Sequence, residues 1–138
     1  MIHWILFAWF AIMPAQPENF TLIVTVTDIE TPEGSLRIGL FDKGDRFLER
    51  DQAFRSVNIP VKSSSETFTF KNLPKGNYAI SLYHDVNDND TCDRNMFGIP
   101  KEPYAFSNNF KPLFSAPDFE DCRFEFKNNT QLSIKLLN

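Results

Sequence analysis

No stripe of basic residues crosses this 138-residue chain: its 14 lysines and arginines are scattered singly, and the net charge is −4. A phosphate backbone finds no footing on such a surface, which sets nucleic acid aside as a partner. No amphipathic helical period of useful length is present, so the fold is not built from helices. The two cysteines and two histidines never fall at the spacing a zinc site needs. Ser107 lacks the surroundings of a nucleophile elbow. The apolar run within Met1–Ala15 carries no charged side chain, yet it is too short to span a bilayer and ends without a cysteine to accept lipid.

What the chain does have is phenylalanine, 15 copies of it, which points to an aromatic core made of strands. The opening apolar run ends on small residues before Gln16-Pro17-Glu18, as a secretory signal does. Residues 1–18 therefore read as a cleaved signal peptide. That leaves 19–138 as one exported domain, in the periplasm, at the outer surface or outside the cell, with no membrane span in the mature chain. The lack of Lys or Arg ahead of the run keeps a membrane anchor as the competing reading. An even cysteine count in an exported chain permits a disulfide, though spacing alone does not establish one.

Strand signals then follow one another. Phe20–Thr27 alternates apolar residues at even positions with mostly Thr at odd ones. Thr31-Pro32-Glu33-Gly34 is a turn, and Leu36–Phe41 reads as the return strand of a hairpin. Asp42–Gln52 is a charged connection with room for one helical turn. Phe54–Val61, Glu66–Phe70, Tyr78–Asp85, Asp121–Lys127 and Leu132–Leu136 supply five more alternating segments. Along Tyr78–Asp85, His84 shares a face with Ile80 and Leu82, and Asp85 lies on the other. Seven short strands predict an all-β fold: an antiparallel two-sheet sandwich, Ig-like or transthyretin-like, with one long irregular loop over 86–119.

The turn Leu73-Pro74-Lys75-Gly76-Asn77-Tyr78 resembles the one that introduces a central strand in transthyretin-like and carboxypeptidase-regulatory-domain-like sandwiches. With His84-Asp85-Val86-Asn87-Asp88-Asn89, Phe97-Gly98-Ile99-Pro100-Lys101-Glu102 and Phe106-Ser107-Asn108-Asn109 added, the chain resembles the bacterial family catalogued as domain of unknown function 2141, from about Leu22 to Leu136. The resemblance implies a small exported sandwich and no particular activity. Its pattern maps onto Asp85, Asn87, Asn89 and Asp93. Asp88 and Asp90 stand where the family usually has Gly, and Asp tolerates the left-handed backbone such positions require. Cys92 and Cys122 both depart from the family's usual residues, which favours a disulfide between them.

Asp85, Asn87, Asn89 and Asp93 follow one another at offsets 0, 2, 4 and 8. A hard cation such as Ca²⁺ needs six to eight oxygens, and a loop delivers them from alternate side chains plus a carbonyl, here that of Thr91. Glu120 or Asp121 would complete the shell. A full EF-hand is excluded, because position 12 is Met96 and the flanking helices are missing. The competing reading is a loop whose Asp and Asn side chains simply bond its own amides. His84, Phe97, Tyr104, Phe106, Asn108 and Asn109 are the expected loop surface, although aromatic rings in such a segment also serve to tuck it onto a sheet. The function expected is a monomeric, non-catalytic exported sandwich whose Ca²⁺-stabilised loop presents a surface to a protein or glycan. The alternatives are a small hydrolase using His84 and loop carboxylates, and a purely structural envelope module.

Overall fold

Alternating apolar residues build most of the strands of a computed structural model that describes residues 12–16 and 18–138. The segment read as a signal peptide lies for the most part outside the described residues. The described residues form eight strands: β1 (Asn19–Thr27), β2 (Ser35–Phe41), β3 (Arg55–Pro60), β4 (Glu66–Pro74), β5 (Gly76–Asp85), β6 (Tyr104–Phe106), β7 (Phe124–Phe126) and β8 (Thr130–Lys135). One sheet has the order β4-β1-β8; the other runs β3-β2-β5-β6, with β7 also on β5. The protein is thus a two-sheet sandwich, and among the described residues helical structure is limited to short turns such as α1 (Phe119–Cys122).

Three details differ from the expected sandwich. β1 and β2 are not a hairpin, because β1 pairs with β4 and β8 while β2 pairs with β3 and β5. The turn ending at Gly34 instead carries the chain from one sheet to the other. β1 and β8 run parallel, so the sheets are not wholly antiparallel. The long segment is also shorter than 86–119, since β6 adds to the edge of β5 inside it and supplies the eighth strand. Alternation detects a strand of three residues poorly.

Between the sheets, Leu22, Val24 and Val26 of β1 meet Leu36, Ile38 and Leu40 of β2, with Ile80, Leu82 and Phe126 closing the layer. Each such side chain contributes about 1.5–3 kcal/mol when fully buried. A second cluster involves β2, β5 and β6: Phe41, Phe47, Ala79, Phe106, Phe119 and Cys122. Phe47 sits edge-on to both Phe41 and Phe119, with ring centroids 5.3 and 5.9 Å away. At the β4–β5 corner the Tyr78 hydroxyl donates to the Pro74 carbonyl at 2.7 Å, fixing the turn that the Leu-Pro-x-Gly-x-Tyr motif marks. These contacts pack β5 on both faces, and the candidate site begins where β5 ends.

Candidate functional site

β5 stops at a carboxylate that is fully buried. Asp85 Oδ1 accepts the Asn89 N–H at 3.1 Å and Oδ2 accepts the Asp90 N–H at 2.9 Å. Arg37 brings its Nε to 3.5 Å from Oδ2, and its guanidinium also meets Asp90. Wrapping the chain tightly enough to aim two successive amides at one side chain requires left-handed residues. Asp88 and Asp90 supply them, at φ 50° and 64°, where short polar side chains tolerate that region. Ser35 Oγ donates to Asp88 Oδ1 at 2.7 Å and ties the turn to β2.

Glu102 approaches the same turn from farther along the chain. It is 9% exposed, and its two oxygens accept the Val86 and Asp93 N–H groups, each at 3.2 Å. Two buried carboxylates thus satisfy four backbone donors at the root of the loop, donors that would otherwise be costly to bury. Glu102 falls within the Gly-Ile-Pro-Lys-Glu segment noted in the sequence. No spacing rule assigned it a partner, because the partner amides lie nine and sixteen residues away.

Outside this root, Asn87 and Asn89 turn toward Asp93. Asn87 Nδ2 lies 2.9 Å from Asp93 Oδ2, and Asn89 Nδ2 lies 3.0 and 3.1 Å from the two Asp93 oxygens. Hydrogen bonds from Asn89 and Asn87 hold the Asp93 carboxyl below its ordinary range. Three side chains of the predicted set therefore meet at their tips, with Asp85 beneath them. Among the described residues no three His, Cys, Asp or Glu side chains gather as a metal-binding group. What gathers is one carboxylate with two carboxamides. Rotated by half a turn, those carboxamides offer oxygens, the ligand type a hard cation takes. Thr91 donates its N–H to Asn89 Oδ1 at 3.0 Å. Glu120 and Asp121 are engaged elsewhere: Glu120 pairs with Arg123 at 2.9 Å, and Asp121 accepts the Asp118 N–H at 2.9 Å in the capping box of α1.

The expected loop surface divides in two. Phe97 is 80% exposed, beside Met96 and Ile99, which are also exposed. His84, 1% exposed, and Phe106, in the outer cluster, are buried instead, and Tyr104 is half-buried within β6. Asn108 and Asn109 are exposed but committed. Asn108 donates to the Arg123 carbonyl at 2.8 Å, and Asn109 Oδ1 accepts the Lys135 N–H at 2.8 Å while its Nδ2 donates to the Ser133 carbonyl. The Asn109 carboxamide thereby covers the free edge of β8 as a neighbouring strand would. Ser107 is fully buried; its hydroxyl accepts the Ile80 N–H at 2.8 Å and donates to the Cys122 carbonyl at 2.5 Å. The Ser-Asn-Asn motif is therefore a clasp joining β5, α1 and β8.

The expected disulfide is corrected: both cysteines are free. Cys122 is packed in the outer cluster beside the middle of β5, whereas Cys92 lies half-buried in the loop that follows the strand. Burial raises both thiols, Cys122 to about 12, with Asp121 adding to the effect there. A maleimide is expected to label Cys92 in the native protein and Cys122 only after unfolding, a difference that intact-mass spectrometry reads directly. Equal labelling of both under native conditions would contradict this packing.

The sequence model of the DUF2141 family, described as an uncharacterized protein conserved in bacteria, matches residues 24–134. Searches among curated proteins and among solved structures return no match.

Proposed function

The chain belongs to the DUF2141 family, conserved in bacteria and uncharacterized as to activity, and from that premise we propose a non-catalytic, exported, monomeric sandwich whose 86–103 loop is stabilised by Ca²⁺ and presents an apolar tip to a protein partner. The observation that carries this reading is the contrast along one loop. Its root is held by two buried carboxylates and four amides, whereas Met96 and Phe97 at its tip stand 91% and 80% exposed. Large apolar side chains held in water by a fixed support are the usual anatomy of a contact surface. A protein partner is favoured over a glycan, because Asn108 and Asn109, polar groups expected to reach a sugar, are bonded within the fold.

Support for the ion comes from the converging ends of Asn87, Asn89 and Asp93 and from the left-handed turn at Asp90. That turn is the sixth position of the series, where calcium loops bend sharply. Asp85 would serve from below through the lone pairs left by its two amide bonds, and the Thr91 carbonyl would add an oxygen.

Millimolar Ca²⁺ is expected to raise the melting temperature by about 3–8 °C, the shift that about 1–2 kcal/mol of ligand linkage gives a domain of this size. Asp93→Ala should abolish the rise, and EDTA should reverse it. Phe97→Ser should leave the melting temperature within about 2 °C, as surface substitutions do. No calcium response in the unaltered protein removes the ion from the reading. A large loss in Phe97→Ser would mean that the tip packs on the domain and is not a free surface.

A further inference from the structure

The tip of the 86–103 loop is a small closed hairpin. The Asn95 N–H donates to the Ile99 carbonyl at 2.9 Å, the Gly98 N–H donates to the Asn95 carbonyl at 3.0 Å, and Arg94 and Pro100 pair at its base. The Asn95 carboxamide oxygen accepts the Phe97 and Ile99 N–H groups at 2.9 and 3.1 Å. Arg94 donates from its guanidinium to the Gly98 carbonyl at 2.9 Å. All these bonds are made by backbone, Asn95 or Arg94. The Met96 side chain, 91% exposed, takes no part in them.

Met96 is also the one methionine in residues 19–138. A thioether is apolar, adaptable and oxidisable, and its sulfoxide is polar. Chemistry at that sulfur therefore changes the surface of the hairpin without touching the bonds that shape it. Oxidation of a core methionine disrupts its packing, whereas Met96 has almost no packing to lose. Cys92, the other sulfur of the loop, is half-buried, and burial raises its thiol away from the reactive thiolate form.

We propose that Met96 is a site of reversible oxidation by hydroperoxides, which switches the loop tip from apolar to polar. The switch rests on the reading of Met96 and Phe97 as a contact surface for a protein partner. The peroxide's terminal oxygen passes to Met96 Sδ: an O–O bond breaks and an S–O bond forms. Sulfur loses two electrons, the peroxide gains them, and its proton goes to the departing oxygen, which leaves as water or an alcohol. A sulfoxide reductase reverses the change, returning two electrons and releasing the oxygen as water.

The test treats the full-length protein with hydrogen peroxide, locates the added oxygen by peptide mass spectrometry and follows elution from a phenyl column. Met96 should be oxidised at a rate within about threefold of that of N-acetyl-methionine amide, as a free thioether is. The melting temperature should stay within about 2 °C, as for a surface substitution. The oxidised protein should elute earlier, and Met96→Gln should do so without peroxide. Met96→Leu, treated alongside, subtracts any contribution from Met13. The two sulfoxide reductases, one for each epimer, should restore the original elution.

Phe97→Ser tells failure of the switch from failure of the contact surface. If that variant also elutes early, the tip is apolar, and a Met96 sulfoxide without effect on elution overturns the switch alone. If Phe97→Ser elutes unchanged, the apolar tip falls and the switch falls with it. Oxidation more than about tenfold slower than that of the free amide overturns the proposal, because the sulfur would then be shielded. So does a melting temperature lowered by more than about 5 °C, which would make oxidation damage to the fold. A sulfoxide that neither reductase removes overturns it as well.

Discussion

Asp85→Ala is expected to cost about 3–5 kcal/mol, measured as a lowered urea midpoint at an unchanged slope. The substitution orphans the Asn89 and Asp90 amides together and leaves Arg37 without its buried counter-charge. Asp85→Asn separates the parts. One carboxamide oxygen still accepts an amide proton, while the second amide and the ion pair are lost, so roughly half the cost should remain. Both variants should show it in calcium-free buffer, because the amide bonds involve no ion. A loss below about 1 kcal/mol would mean that the loop root carries little of the fold's stability.

Gly34→Ala should be comparably severe, at about 4 kcal/mol, although it removes no contact. Gly34 has φ +68°, and a Cβ there would collide with the Asp85 carbonyl oxygen and come within 2.7 Å of the Val86 Cα. Both obstacles are backbone at the start of the loop, so neither rotates away. Gly98 is the internal control. Its φ is +77°, yet a Cβ would meet nothing within 4 Å. Gly98→Ala should therefore cost only the left-handed penalty of about 1–2 kcal/mol. The difference between the two variants isolates the steric term, and equal losses at both positions would refute it.

Most of the sandwich was legible because β1, β2 and β5 alternate, with Leu22, Val24, Val26, Leu36, Ile38, Leu40, Ile80 and Leu82 all in the layer between the sheets. The same alternation placed His84 on the core side with Ile80 and Leu82, where it lies. Pairing was less legible. The parallel contact of β1 with β8 joins segments about a hundred residues apart, and nothing local in either strand encodes its partner. At the site, the spacing of Asp85, Asn87, Asn89 and Asp93 marked a turn held by side-chain oxygens. It did not reveal that Glu102 braces that turn from behind. The Ser107 role was hidden for the same reason, since its hydroxyl serves Ile80 and Cys122, far from it in sequence. Departures to cysteine suggested proximity, whereas burial in an aromatic cluster is explanation enough for Cys122.

The parallel pairing imposes a timetable on the chain. β1 occupies the middle of its sheet, and its second neighbour, Thr130–Lys135, is made about a hundred residues after it. During synthesis, β1 must wait with one hydrogen-bonding edge bare until more than a hundred further residues have emerged. Closure is then a single late event, in the slow regime characteristic of distant strand pairing, and a nascent chain halted before residue 130 should remain open to proteases and holding chaperones.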